Sequence, residues 1–233
     1  MIQSSNPNVG IWAFLITTEC CTNNMRFFIA KALTSFFRFF ADTFFAKRYG
    51  HRAVVLETIA GVPGIVAGML LHMKSLRKMK TGYGPEIREM LAEAENERMH
   101  LMFFIEIAQP NLLERYLVLV AQFFFMAFYF VLYLVDYKTA HKMVALFEEE
   151  AVKSYTEYLS LVDSGKVENV PAPKLAIDYY GLGASSRLSD LIIKVRADEQ
   201  HHSEVNHSYA AFTSPRPKPK KIRFESGQPE RLH

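Results

Sequence analysis

Asn96-Glu97-Arg98-Met99-His100 and its counterpart Asp198-Glu199-Gln200-His201-His202 are the stretches on which the reading of this chain turns. In each, a Glu precedes a His by three residues, which on a helix sets a carboxylate and an imidazole on adjacent turns of one face. Both pairs lie in apolar stripes. Met90, Ala94, Glu97, Leu101 and Phe104 step by four and three, as do Leu188, Ile192, Val195, Glu199 and His202. Such steps mark the core side of an amphipathic helix. A Glu in that stripe is buried, and a buried carboxylate must be neutralised, paired or bound to a metal.

Two further carboxylates complete a pattern. Glu57 shares a face with Val54, Gly61, Gly64 and Gly68 on a helix expected from His51 to Met79; beyond the carboxylate, that face is built of small residues that let another backbone come close. Glu148 shares a face with His141, Val144, Ala151, Tyr155 and Leu159 on a helix expected from Tyr137 to Val162. Di-iron carboxylate bundles take one Glu from each of two helices and a Glu-x-x-His from each of two others. All six residues are present, and successive Glu are 40, 51 and 51 residues apart. The expected fold is therefore all-α, a ferritin-like four-helix bundle. Four carboxylates balance two ferrous ions, and hard oxygen with imidazole suits iron or manganese. Few ligands per metal leave open positions, so the set reads as a reductant-fed oxygen activator. Asn96 and Asp198 are candidate partners for the outer ring nitrogens of the ligand histidines. Tyr155 and His141 flank Glu148 two turns away on either side. For Tyr155 a core residue with a satisfied hydroxyl is the commoner reading, while for His141 a packed, hydrogen-bonded histidine and a functional role weigh about the same.

Composition narrows the setting. Of 233 residues half are hydrophobic, with 19 Phe and 11 Tyr, which excludes disorder for most of the chain. A net charge of +3, with spread basic residues, argues against nucleic acid. Adjacent Cys20 and Cys21 read as small apolar residues, and no run resembles a cleavable secretory signal. Between Arg26 and Tyr49, Lys31, Ser35, Arg38 and Asp42 form a narrow polar face on a broad aromatic one, as in a helix lying in a membrane interface. Leu117 to Val135 is long enough to span a bilayer. A span there would place Glu97 and Glu148 on opposite sides of the membrane, so this segment is expected to dip into one leaflet or pack along it, alongside the Arg26 to Tyr49 helix. Residues 1–25 have no assigned role, 26–212 form one domain, and 213–233 are a disordered basic tail. Ser186 is expected to cap the last helix, and 166–185 to be a loop.

Assembled in this way, the chain resembles the alternative oxidase family, the cyanide-insensitive quinol oxidases of mitochondria. The resemblance runs through Leu56-Glu57-Thr58, Asn96-Glu97-Arg98-Met99-His100-Leu101, Glu148-Glu149-Glu150-Ala151 and Arg196-Ala197-Asp198-Glu199, and covers roughly residues 36–212. It implies that Glu57, Glu97, His100, Glu148, Glu199 and His202 bind two irons, with Tyr155 essential for activity beside them. It also implies a monotopic homodimer on the matrix side of the mitochondrial inner membrane, oxidising ubiquinol and reducing O2 to water without pumping protons. The quinol pocket would comprise Arg38, Arg52, Leu56, Glu150, Ala151 and Ser154, with Asn96, His141 and Asp198 supporting the ligands. Phe147, Ser154 and Tyr180 depart from the family's usual Leu, Thr and Trp, and its regulatory cysteine does not carry over to Cys20 or Cys21.

The residues themselves leave neighbouring chemistries open. A plastid-type plastoquinol oxidase or a quinone hydroxylase uses a comparable site, and a ferritin-like protein would release ferric iron to a store. The aromatic face of 26–49 argues against the last, because a soluble cage needs no membrane surface.

Overall fold

The computed structural model describes residues 22–39 and 48–211, and the described residues are almost entirely helical. Residues 22–39 form α1, which is therefore already helical four residues before Arg26. Cys20, Cys21, Asp42 and the basic tail lie outside the described residues. Five helices follow: α2 (Tyr49–Lys78), α3 (Gly84–Ala108), α4 (Leu112–Asp163), α5 (Lys174–Tyr180) and α6 (Leu188–Ala211).

Local chemistry sets these boundaries. After α2, Met79 takes a left-handed conformation and its N–H bonds back to Leu76 O. After α3, Gln109 does the same and bonds to Ile105 O, which closes the helix end. Asn111 then opens α4 with a capping box: its side chain accepts from the Glu114 N–H, while the Glu114 carboxylate accepts from the Asn111 N–H. At the start of α6, Ser186 is not the first helical residue. The helix begins at Leu188, and the Asp190 carboxylate accepts from the Arg187 N–H at 2.8 Å.

The two helices expected on either side of Asp136 form one run, with the break confined to that residue (φ −149°, ψ 90°). Its side chain explains why the chain resumes at once. Asp136 Oδ1 accepts from the Lys138 N–H at 3.1 Å and Oδ2 from the Thr139 hydroxyl at 2.9 Å, as a helix cap does. Arg26 Nε donates to Oδ2 at 2.6 Å, tying α1 to the break. Where a structureless loop 166–185 was expected, the one-turn-plus helix α5 forms.

The core is a bundle of α2, α3, the second half of α4, and α6. Packing is densest between α2 and α3 and between α4 and α6, and α2 also meets α4. The small-residue face of α2 makes the first contact close. A Cβ added at Gly64 would lie 2.3 Å from Met90 O and 3.0 Å from Ala94 Cβ.

α1 lies against α4 on both sides of the Asp136 break: the Phe37 ring meets Phe125 edge-on at 5.3 Å before it and Phe147 at 5.8 Å after it. These two elements leave apolar side chains exposed, among them Phe28 and Phe39 on α1 and Phe123, Phe124 and Leu134 on α4. Both α2 and α4 are long and apolar enough to cross a membrane, but 56% of the most apolar part of α2 is buried in the protein against 22% for α4. An apolar surface of this extent marks a contact with lipid or protein.

Candidate metal centre

The six residues singled out by spacing converge at the middle of the bundle. Glu57 comes from α2, Glu97 and His100 from α3, Glu148 from α4, and Glu199 and His202 from α6; all six are buried. Their ligand atoms form two overlapping groups, Glu57 with Glu97, His100 and Glu199, and Glu97 with Glu148, Glu199 and His202. Within each group the atoms lie within 4.8 Å of one another. His100 Nδ1 is 3.2 Å from Glu199 Oε1, 3.4 Å from Glu57 Oε2 and 3.7 Å from Glu97 Oε2. His202 Nδ1 is 2.6 Å from Glu97 Oε1.

Burial and mutual repulsion dominate the electrostatics. Burial, with the charges of Glu199 and Glu97, pushes Glu57 and Glu148 well above the ordinary carboxylate range. Burial alone would also raise Glu97, but the His202 and His100 imidazoles outweigh it and hold this carboxylate low. His202 shows the converse. Burial opposes its charge, yet the Glu97 carboxylate raises it to about 9.

These features fit a divalent metal pair. Glu57 Oε2, both oxygens of Glu97, Glu199 Oε1, and Nδ1 of His100 and His202 are buried without a hydrogen-bond partner. Orphaned polar atoms at this density are otherwise rare in proteins. The ring of His100 is also set in the required tautomer. The Tyr180 hydroxyl donates to Asp198 Oδ2 at 2.6 Å, so its oxygen is free to accept from His100 Nε2–H at 2.9 Å. Asp198 itself lies 3.2 Å from Nε2. Nδ1 then turns a lone pair toward the carboxylates.

The other expected site residues fall as follows. Tyr155, stacked on Phe104 at 5.5 Å, donates its hydroxyl to Glu57 Oε1. Asn96 reaches no histidine; its Nδ2 donates to Asp198 Oδ2 at 3.1 Å and to the Tyr179 hydroxyl at 2.9 Å. His141 is buried and bonds through Nδ1 to Asn206 Oδ1 at 2.8 Å. A cavity of about 600 Å3 opens between α1, α2 and α4, with Glu57, Glu148 and Glu199 at its inner end and walls of Phe, Val, Leu and Ala. Arg38, Arg52, Leu56, Glu150 and Ala151 line it, with Arg38 ion-paired to Glu150; Ser154 does not.

Three polar residues beside the cluster escaped the sequence reading: Glu93, Asn206 and Tyr129, all buried. Glu93 is four residues before Glu97 and Asn206 four after His202, so each lies one turn along the same face; that spacing was the available signal. Tyr129 sits inside the apolar run of α4 and carried none.

Four carboxylates and two imidazoles from four packed helices define a bundle of the ferritin-like, carboxylate–histidine class, with a buried cluster able to hold metal. The chain belongs to the alternative oxidase family, whose sequence model matches residues 17–211. It is 51% identical over 181 residues to the mitochondrial ubiquinol oxidase of Batrachochytrium dendrobatidis, covering 78% of this chain and 57% of that protein. To the mitochondrial ubiquinol oxidase 2 of Nicotiana tabacum it is 54% identical over 185 residues, covering 79% and 61%. To the mitochondrial ubiquinol oxidase of Mangifera indica it is 55% identical over 166 residues, covering 71% and 52%. The match thus spans little more than half the length of these relatives.

Proposed function

We propose that the protein is a di-iron ubiquinol oxidase, transferring electrons from ubiquinol to O2 and producing water. The observation that carries this reading is the apolar cavity whose inner end is three of the cluster carboxylates. A lipid-soluble quinol needs apolar walls and a route to the electron acceptor, and this cavity supplies both. The Arg38–Glu150 pair and Arg52 provide polar atoms for the quinol hydroxyls, with Leu56 and Ala151 shaping the walls and Ser154 one helical turn behind Glu150. Glu57, Glu97, His100, Glu148, Glu199 and His202 would hold the two irons. Bound there, the metal pair would accept electrons and activate oxygen.

The protein's own groups then have defined work. Tyr155 holds Glu57, which lines the cavity, in place by its hydroxyl. The apolar walls exclude water, which strengthens every polar contact inside. Asp198, supported by Asn96, fixes the His100 ring, and His141 braces α4 against α6 through Asn206. The exposed aromatic and aliphatic side chains of α1 and α4 fit insertion into a single leaflet, which gives the quinol access from lipid. The relatives' names support a mitochondrial setting; the inner membrane, matrix side and a homodimer belong to the same reading.

Cyanide-resistant oxygen uptake driven by ubiquinol is the test, using the purified full chain loaded with iron in liposomes. The expected products are quinone and water. Oxygen atoms recovered in the quinone would identify a hydroxylase instead, and an iron-loaded protein without uptake would overturn the proposal.

A further inference from the structure

We infer that Glu93 is a proton-storing carboxyl, buried beside the metal cluster outside the lining of the quinol cavity and coupled to the cluster by charge rather than by ligation. The inference rests on the di-iron reading above for its chemical purpose, but not for its geometry.

Glu93 is 5% exposed, and among the described residues its carboxylate makes no ion pair or hydrogen bond with any of the six cluster residues. Its hydrogen-bond partner is the Asn206 carboxamide. Asn206 Nδ2 lies 3.0 Å from both Glu93 oxygens and 3.0 Å from His202 O, while Asn206 Oδ1 faces His141 Nδ1 at 2.8 Å. The amide orientation follows from its neighbours: its N–H groups go to two acceptors, so its oxygen accepts and His141 carries its proton on Nδ1. The carboxylate is thus held by one neutral donor, which is too little to neutralise a buried charge.

The groups facing Glu93 come from three helices. Glu97 lies along α3; Tyr129 and Glu148 face it from α4, with His141 behind Asn206; Glu199 and His202 face it from α6. Tyr129 adds a second observation, because its hydroxyl is fully buried and has no hydrogen-bond partner. Glu93 is raised to about 7 on balance: burial raises it most, the His202 charge and the Asn206 hydrogen bond lower it, and the Glu97 and Glu199 charges raise it. A carboxyl so placed changes protonation when the cluster changes charge. Positive charge added to the cluster expels its proton, and removal of that charge recovers it.

The chemistry has a place for such a group. Reducing one O2 to two waters takes four electrons and four protons, and two quinols release the same numbers. A proton given by Glu93 to reduced oxygen leaves a carboxylate, and a proton released by quinol oxidation restores the acid. No electron passes through Glu93. The quinol cavity meets Glu57, Glu148 and Glu199, whereas Glu93 does not line it. The proton site is therefore distinct from the residues that meet the quinol.

Infrared spectroscopy of the full chain tests this directly. Beside the acid bands of Glu57 and Glu148, which persist to higher pH in the metal-free protein, wild type should show a buried carboxylic-acid band that disappears as pH rises through about 7. In the iron-loaded protein the band should disappear at lower pH, and Glu93→Gln should lack it while retaining iron. With Glu93→Gln, quinol-dependent oxygen uptake should fall at least about tenfold, in the lower range for loss of a proton donor. Glu93→Asp keeps a carboxyl and should retain a shifted titrating band, which preserves the assignment if the Gln variant does not fold. A wild-type band that ignores iron, or one that survives in Glu93→Gln, overturns the inference. Wild type that titrates and responds to iron yet shows no quinol-driven uptake overturns the oxidase reading and leaves the proton site standing.

Discussion

Glu97 and Glu199 belong to both groups of clustered ligand atoms, whereas Glu57 with His100 and Glu148 with His202 each belong to one. The cluster is thus a pair of half-sites joined by two shared carboxylates. Glu97→Ala should release both metals, while Glu148→Ala should deplete one half-site first; metal content per chain measured by mass spectrometry separates the two outcomes. Equal loss from both variants would mean that the half-sites do not exist separately. Tyr155 allows a cleaner experiment, because Phe at this position keeps the stacking on Phe104 and removes only the hydroxyl that meets Glu57. Iron content should be retained in Tyr155→Phe. Stability should fall by about 1–3 kcal/mol, the usual cost of leaving a buried acceptor unpaired, and ubiquinol oxidation should drop at least about tenfold. Full activity would reduce Tyr155 to a packing residue.

Among the elements, α2 and α3 form the tightest junction, and it carries three of the six cluster residues. A methyl group at Gly64 would meet a backbone carbonyl, which cannot turn aside; at Gly68 it would meet the Leu91 side chain at 3.0 Å, which can. Gly64→Ala should therefore cost about 1–3 kcal/mol through overpacking and weaken metal binding, with Gly68→Ala markedly milder. Thermal unfolding and metal titration of the two variants side by side check the order. Much of this framework was legible in the sequence, because helices α2, α3 and α6 announce themselves by period and by the breakers Gly84-Pro85 and Gln109-Pro110. The convergence of the six Glu and His residues was legible because carboxylates and imidazoles at helical spacing within apolar stripes are forced into one buried cluster. The break at Asp136 was misjudged as an end, since a single Asp can stop one helix and cap the next, and the sequence does not say which it does. Glu93 and Asn206 stayed hidden for another reason. Their meaning depends on a contact between α3 and α6, 113 residues apart, and no local period records it.

For the molecule as a whole, the buried cluster couples folding, protons and metal. A group that holds its proton more tightly in the folded than in the unfolded chain adds stability below its ordinary value and loses it as pH rises through its folded value. His202, raised from 6.5 to about 9, contributes fully below 6.5 and not above 9. Glu93, raised from 4.5 to about 7, contributes fully below 4.5 and loses it through 7. Glu57, Glu148 and His100 are raised too, so they act in the same direction. Glu97 is held low, and its contribution disappears only in strong acid. The metal-free protein should therefore become less stable between about pH 6 and pH 9. His202 alone accounts for a loss on the order of 3 kcal/mol at 1.36 kcal/mol per pH unit, or roughly 6–12 °C in melting temperature for a chain of this size. Divalent metal reverses the trend, because it takes the place of those protons and binds more strongly where they have gone. The gap in melting temperature between metal-loaded and metal-free protein should widen steadily with pH when both are followed by calorimetry in the same liposomes. A metal-free melting temperature that stays level over this range would mean that the carboxylates and imidazoles face water and keep their ordinary proton affinities, and the buried centre on which the oxidase reading stands would be lost with it.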